Sequence, residues 1–364
     1  PKFTSQYTDQ TVAANSVIVV CGDKSKVVSN SDMWETSTNY QTYQTQTTGF
    51  DGEGQITSAI TYVTSENNPK VYWVTGHGEA SESDLSTNFS DAVNKNNVEI
   101  SDLALMTDDI PEDAEELVIM SPTTDFSEDE ANKVITYLEN GGKLLMFTSY
   151  TGTDMPNLDS ILENYGVKRS SGIVVETDSQ HYYPQMPYYL LPNIQSDDIT
   201  TEVKSNYILM PVAQAIQKLD SYRDTITIKS LLTTTEDAYI ENDPENSTWS
   251  KSADSETGAF DLGVSITETV DDKETQIIYF SSASMLSSQI DQAISGANSK
   301  LAATALTSMC DVEQTVVIPS KSTSYTNLVF TQGAVNTWSI IAIAGIPLVL
   351  VVIGVMIWMK RRKQ

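Results

Sequence analysis

The chain has 364 residues and a formal net charge of −28, with 49 acidic against 21 basic residues. This balance excludes nucleic acid as a partner, because phosphate binding depends on Lys and Arg, and it argues against adsorption of the folded part to anionic lipid. With 40% hydrophobic residues the chain can bury a sizeable core, and its length is typical of two or three domains.

Residues 1–66 have the pattern of an α+β domain whose beginning is missing. The apolar run Ser16–Val20 predicts a strand that pairs with Lys26–Ser29. A glycine-rich break at 49–54 precedes a predicted helix with one apolar face, which consists of Ile56, Ile60 and Val63.

From residue 67 onward, short apolar strands alternate with amphipathic helices, which favours an α/β fold with a doubly wound, mostly parallel sheet. We predict strands at 71–75, 98–105, 117–120, 143–147 and 173–175, and helices at 85–93, 127–138 and 157–165. The alternation stops at 181–256, an excursion that begins with the aromatic segment His181–Pro192 and includes an acidic loop at 236–256. A hairpin over 259–280 and a helix over 298–309 complete an ectodomain at 67–320.

A membrane-spanning helix is predicted at 338–359, after a membrane-proximal segment at 321–337. Short strands at 316–318 and 328–330 are predicted to lead into the membrane. Residues 338–359 carry no charge, and a helix of this length is ~33 Å long, which matches a bilayer core of ~30 Å. Trp338 and Trp358 lie near its ends, where an aromatic belt is expected. The alternative is a buried core helix, but it would not explain the tryptophans near both ends.

A basic tail at 360–364 follows this helix directly, and its cations are Lys360, Arg361, Arg362 and Lys363. The positive-inside rule places them in the cytoplasm and residues 1–337, with a charge of −32, outside the membrane. Because the chain begins at Pro1 without a signal peptide, we also expect a second, N-terminal anchor upstream.

The most suggestive site for chemistry is the turn Gly76-His77-Gly78-Glu79, which ends the first predicted parallel strand. Open α/β sheets bind ligands at this edge, so His77 is a candidate base or ligand and Glu79 a candidate acid or anchor for a ligand or partner. In the alternative, which we favour, the glycines only satisfy a tight turn and His77 bonds to the neighbouring loop.

Other catalytic and cofactor motifs are absent from the sequence. There is no Gly-x-Ser-x-Gly elbow, no phosphate-binding loop, no calcium loop and no Cys/His spacing for zinc, so we predict no catalytic residue, metal or cofactor. His77 and His181 are the two histidines, and Cys21 and Cys310 the two cysteines. We expect the cysteines to be buried thiols rather than a disulfide.

Several stretches, taken in order, resemble the GldG-like auxiliary components of ABC-type transport systems. They are Phe50–Glu53 with Thr57–Ile60, VYWVTGHGE at 71–79, LVIMSPTTDFSEDE with GGKLLMF, IIYFSSASML with ANSKLAATAL, and PSKSTSYTNLVFT before the last helix. The resemblance implies an extracytoplasmic domain similar to class I glutamine amidotransferases but without their catalytic set, and a partnership with a separate permease and ATPase.

The sequence therefore predicts a non-enzymatic, membrane-anchored accessory subunit of an ABC-type export or gliding-type system. Its ectodomain would bind substrate, surface material or the permease, and 338–359 would contact membrane lipid. Two alternatives stay open. One is a surface-anchored hydrolase or amidotransferase-like enzyme that uses His77, and the other is an adhesive or structural surface protein.

Overall fold

The computed structural model describes residues 3–39, 44–65, 68–244, 248–310, 318, 321–322 and 330–362. Most of the two short strands predicted at 316–318 and 328–330 lies outside these residues, and so does Lys363.

The N-terminal part contains two antiparallel strand pairs and one helix. Its elements are β1 (Val17–Cys21), β2 (Lys24–Val28), β3 (Trp34–Asn39), β4 (Gln44–Phe50) and α1 (Gly52–Thr64). The predicted pairing of the first two strands is confirmed, with Val17 opposite Val28. The predicted apolar face of α1 is only partly right, because Val63 is buried while Ile60 is 48% exposed. The helix instead buries small residues, Ser58 and Ala59, which allow it to lie close to the hairpin.

The first part of the α/β domain alternates strands and helices, as predicted. Its elements are β5 (Lys70–Val74), α2 (Thr87–Lys95), β6 (Glu99–Leu103), β7 (Glu116–Met120), α3 (Glu128–Glu139), β8 (Lys143–Phe147) and α4 (Pro156–Asn164). The strands lie in the order β6–β5–β7–β8, and all three pairings are parallel.

This parallel sheet is buried on both faces, which is what the doubly wound prediction requires. Successive residues of β8 belong to different cores, because Leu144 and Met146 pack with α3 and α4, whereas Leu145 and Phe147 pack with α2 and later helices. Strands buried on both faces read as continuous apolar runs rather than as alternating ones.

The second part of the chain adds ten strands and two helices within the described residues. They are β9 (Val167–Val175), β10 (Tyr182–Tyr183), β11 (Met186–Leu190), β12 (Asn193–Ile194), β13 (Met210–Pro211), β14 (Gln214–Lys218), β15 (Ile226–Thr233), β16 (Tyr239–Glu241), β17 (Asp261–Val270), β18 (Lys273–Phe280), α5 (Ser288–Ala293) and α6 (Ala297–Met309). Short 3₁₀ turns occur at Thr4–Gln6, Glu82–Asp84, Thr201–Val203 and Ala283–Leu286.

The central sheet has eleven strands within the described residues, and its centre is parallel as predicted. Strand β18 pairs in parallel with β8, and beyond it the sheet continues through β17, β14, β9 and β16 with antiparallel pairings. Strands β15 and β12 attach beside β17. The hairpin predicted over 259–280 is confirmed as β17 and β18.

The segment predicted as an excursion divides into two parts. Strands β14, β15 and β16 belong to the central sheet. The prediction of a loop over 236–256 is therefore wrong at β16, where Tyr239 is buried. The reason is that β16 completes the backbone ladder along β9. Only β10, β11 and β13 form a separate three-stranded sheet.

A long apolar helix ends the chain, as predicted. The short strand β19 (Lys321–Ser322) first pairs with β4, and then α7 (Gln332–Ile340), a π-helical segment (Ile341–Gly345) and α8 (Ile346–Arg362) follow without interruption. Its most apolar window has a mean hydropathy of 3.0 and is not buried at all. By length and composition this helix can cross a membrane.

Candidate functional site

The turn Gly76–Glu79 lies at the carboxyl end of β5, held against the loop that follows β7. Gly76 and Gly78 have φ angles of 124° and 77°, in the region that favours glycine. The carbonyl oxygen of His77 accepts hydrogen bonds from the backbone N–H groups of Thr123 (2.9 Å) and Thr124 (3.0 Å). A Cβ at Gly78 would clash with Thr123 Oγ1, so Gly78 suits the close approach of the two loops, whereas a Cβ at Gly76 would meet no atom within 4 Å.

The His77 ring is buried between two carboxylates. Its Nδ1 lies 3.1 Å from Glu79 Oε1 and its Nε2 lies 3.2 Å from Glu130 Oε2, and the ring packs on Phe126 with the centroids 4.2 Å apart. The backbone N–H of His77 also donates to Glu79 Oε2 at 2.7 Å. Both ring nitrogens can donate at the same time only in the doubly protonated ring.

Glu130 reaches His77 because it is part of the N-terminal cap of α3. Ser127 Oγ accepts from the Glu130 N–H (3.3 Å), while Glu130 Oε2 accepts from the Ser127 N–H (2.9 Å) and hydroxyl (2.7 Å). This is a capping box, which the sequence Ser-Glu-Asp-Glu favours. Burial acts to raise the pKa of Glu130, but the bonds from Ser127 and the proximity of His77 outweigh it and lower that pKa below its usual value.

This cluster is closed to the outside. His77 is 4% exposed and Glu130 is 4% exposed, and both ring nitrogens of His77 already face carboxylates of the chain. A general base needs a free nitrogen within hydrogen-bond reach of its substrate. The geometry thus agrees with the structural alternative for the turn, and a ligand at Gly76–Glu79 stays a prediction.

A residue that the sequence did not single out lies at the same edge of the sheet. Ser121 follows β7 with a φ of 53°, unusual for a non-glycine residue, and its hydroxyl donates to Ser149 Oγ at 2.8 Å. Ser149 follows β8, so the two hydroxyls come from neighbouring strand ends. The signal in the sequence was the apolar run LVIM ended by Ser-Pro, but the flanking glycines of a nucleophile elbow are missing there.

Both cysteines are free, but they differ in burial. Cys310 is buried, as expected, and its thiol lies 3.3 Å from Glu116 Oε2. Burial raises the pKa of Glu116 well above its usual value and also raises the pKa of the Cys310 thiol. The prediction of a buried thiol is wrong for Cys21, which is exposed, because it is the last residue of β1 and lies at the turn that leads to β2.

The residues predicted to orient the chain in a membrane lie on the terminal helix. Trp338 is 66% exposed and Trp358 is 59% exposed. Lys360, Arg361 and Arg362 occupy the last turn, where the Arg362 guanidinium lies over the Trp358 ring at 5.3 Å from its centroid.

Clusters of metal-ligating side chains were a further possible feature of the part of the chain that the structure describes. No group of three or more His, Cys, Asp or Glu side chains is arranged there to hold a metal ion.

The protein thus combines an α/β domain, which has a closed histidine cluster at its sheet edge, with one long apolar helix. The family of ABC-type uncharacterized transport system auxiliary components matches residues 68–308, more than half of the chain. The chain belongs to this family, which confirms the predicted resemblance at the level of an ABC-type auxiliary component. No curated protein sequence matches the chain with significance.

Solved structures show only remote similarity. The mmIFT52 N-terminal domain has 15% identity and a TM-score of 0.48, covering 66% of this chain and 96% of that one. The exo-β-1,4-mannosidase Op5Man5 from an Opitutaceae bacterium has 10% identity and a TM-score of 0.34, over 70% of this chain and 37% of that one. A ThuA-like protein from Parabacteroides merdae has 12% identity and a TM-score of 0.35, over 70% and 98%. These similarities are too weak to carry an argument for fold or function.

Proposed function

We propose that this chain is a membrane-anchored, extracytoplasmic accessory subunit of an ABC-type transport system. Family membership over residues 68–308 supports the transport system. The apolar helix Gln332–Arg362 and its basic end support anchoring with the C-terminus in the cytoplasm. The ectodomain binds substrate, surface material or the permease, and the energy comes from a separate ATPase.

The proposal also holds that the subunit is not an enzyme. The observation that carries this point is the closed state of His77, whose ring nitrogens are both occupied by Glu79 and Glu130 at the edge where open α/β sheets bind ligands. We further propose that the chain is a GldG-like component, because its sequence resembles this group. Its ectodomain would then be similar to a glutamine amidotransferase that lacks the catalytic residues.

Affinity purification of the tagged full chain from its native membrane in mild detergent tests this function. We expect a multispanning permease and an ATPase to co-purify with the chain. A second tagged single-span protein from the same membrane serves as the control for non-specific recovery. Recovery of no transporter subunit above this control would overturn the proposal.

The enzyme alternative has one specific observation in its favour, which is the left-handed backbone of Ser121 beside Ser149. If the chain were a hydrolase, Ser121→Ala and His77→Gln would each abolish turnover of an ester or amide substrate. His181→Gln replaces the other histidine, which is half-buried directly before β10 of the separate sheet, and it serves as the matched control. We expect no turnover from the unmodified chain.

A further inference from the structure

We propose that the tyrosine-rich hairpin formed by β10 and β11 lies in the headgroup layer of the bilayer that the C-terminal helix crosses. The surface concerned is the segment Ser179–Pro192, called here the tyrosine hairpin. This inference rests on the proposed function, since it takes the helix Gln332–Arg362 as the membrane anchor.

Hydrogen bonds join the tyrosine hairpin to the first turn of the apolar helix. The Gly333 N–H donates to the Ser179 carbonyl at 2.6 Å, and the Gln185 N–H donates to Gln332 Oε1 at 2.9 Å. The hydroxyl of Thr331, the residue before the helix, donates to Gln180 Oε1 at 3.1 Å. The hairpin is therefore attached at both its base and its tip to the start of the helix.

A side chain at Gly333 would have to displace the amide end of the Gln180 side chain. A Cβ there would lie 1.5 Å from Gln180 Nε2, and Gly333 is buried although the helix that it begins is exposed. The hydrogen bond from the Gly333 N–H to the Ser179 carbonyl joins backbone to backbone, so this part of the attachment does not depend on a side-chain rotamer.

The position of the hairpin along the membrane normal follows from the geometry of the helix. Trp338, where the uncharged run begins, comes five residues after Gly333, which is about 8 Å of helical rise. The headgroup region adds about 5–8 Å on each side of the hydrocarbon core. A bilayer that surrounds the apolar run from Trp338 onward therefore places its headgroups at the level of the hairpin.

The composition of the hairpin suits that layer and not the acidic surface around it. The segment contains no Asp or Glu, in a chain that has 49 of them, and it contains four tyrosines, Tyr182, Tyr183, Tyr188 and Tyr189. Tyr and Trp are enriched at membrane interfaces because their rings are apolar and their polar groups face water. The absence of carboxylates removes the repulsion from headgroup phosphates.

The tip and the flank of the hairpin add apolar surface. Met186 is 38% exposed at the turn, next to Gln185 with a φ of 65°. The Trp249 ring packs against Tyr188, with the centroids 4.4 Å apart and the ring planes tilted by 35°. A sugar or a protein partner could also use such rings, but the attachment to the start of the helix favours lipid.

Spin labels on single cysteines test the proposal with the full chain in phosphatidylcholine nanodiscs. Cys21→Ser removes the exposed thiol, and Met186→Cys places a nitroxide at the hairpin tip. Met106→Cys, on the loop after β6, replaces a methionine that is 70% exposed and is the matched control. We expect the label at 186 to collide more with O₂, which partitions into lipid, than with a water-soluble nickel chelate, and the label at 106 to show the reverse. A label at 186 that behaves like the one at 106 overturns the proposal.

A third label, at Leu348→Cys, separates this inference from the proposed function. If the label at 348 is in water, the anchor itself is wrong and both proposals fail. If the label at 348 is in lipid while the label at 186 is in water, only the placement of the hairpin fails, and a glycan or protein partner becomes its better explanation.

The attachment can be tested separately with two glycine substitutions in the same helix. Gly333→Val should weaken the preference of the label at 186 for O₂, because the valine displaces the Gln180 amide and so removes its hydrogen bond with the Thr331 hydroxyl. Gly345→Val is the control, since a Cβ at Gly345 meets no atom within 4 Å, and we expect the preference to remain. Equal results for the two variants, with near-UV circular dichroism unchanged, contradict the role given to this contact.

Discussion

Strand β8 and helix α8 are similarly apolar, yet one is fully covered by the chain and the other is not covered at all. Leu144, Leu145, Met146 and Phe147 are each 0% exposed, whereas Val349, Leu350, Val351 and Val352 are 49–64% exposed. The strand lies between helices on two faces of a sheet. Apolar composition alone therefore does not determine burial, and the helix requires cover from outside the chain, for which a bilayer is suited.

The two regions also differ in how they hold ionisable groups. Glu116 at the start of β7 is 0% exposed, and its Oε1 has no hydrogen-bond partner among the described residues. The cations that end α8 are exposed and keep contact with water. Burial inside the sheet favours the uncharged form of an acid, whereas the cations of the helix lie at its exposed end.

The largest effect that we expect comes from Leu145→Ala in the buried strand. Removing the side chain leaves a cavity between the sheet and its helices, and should lower the free energy of unfolding by about 2–5 kcal/mol. Urea denaturation of the full chain in detergent measures the loss, with the buried Trp73 as a fluorescent reporter from the same core. Loss of less than about 1 kcal/mol would mean that the core can collapse around the gap.

Leu348→Arg should have the next largest effect, on membrane integration rather than on folding. A charge near the centre of a membrane helix costs about 2.5–3.5 kcal/mol, so the fraction that resists alkaline carbonate extraction should fall sharply. Met106→Arg adds the same charge at an exposed position outside the helix and should change nothing. Unchanged retention of the Leu348→Arg chain counts against the helix as an anchor.

Glu116→Gln should change the pH dependence of stability in the sheet core. Burial raises the pKa of Glu116 in the folded chain, so above the ordinary Glu pKa the unfolded chain releases a proton that the folded chain retains. The free energy of unfolding then falls by about 1.4 kcal/mol per pH unit until the folded group titrates. Glutamine removes this contribution, and urea titrations at pH 5, 6 and 7 should show a flatter profile for the variant. Parallel profiles would falsify a protonated Glu116.

The smallest effect should come from Leu348→Ala, which matches the first substitution in chemistry but not in burial. Leu348 is 66% exposed, so its truncation should change the unfolding free energy in detergent by no more than about 0.5 kcal/mol. A loss as large as that of Leu145→Ala would indicate that α8 packs against the ectodomain.

The central parallel strands were predictable because their burial on both faces leaves continuous apolar runs. Helix α3 was predictable for a second reason, since Ser127 and Glu130 form a local capping box. The antiparallel strands β14 and β16 were missed because β14 ends in polar residues and β16 is very short. Their place in the sheet depends on pairing with β9, which local patterns do not encode.

The candidate site was predicted in part. The glycines of the turn and the position of His77 at a strand end follow from the sequence, but its partner Glu130 is 53 residues away. The positive φ of Ser121 was not predictable either, because glycine is the usual sequence signal for this conformation and position 121 is a serine. Such contacts arise when two βα loops meet at one edge of the sheet, and a single sequence carries no signal for which loops will meet.

The π-helical segment Ile341–Gly345 changes the direction in which the rest of the terminal helix faces. A π turn bonds each residue to the fifth rather than the fourth preceding one, and one additional residue rotates everything after it by about 100°. Side chains of α8 are therefore out of phase with those of α7, where Gly333 meets the ectodomain. The two ends of one continuous helix therefore expose different faces. In the proposed membrane anchor, the face of α8 that a neighbouring helix could contact is not the face through which α7 contacts the ectodomain.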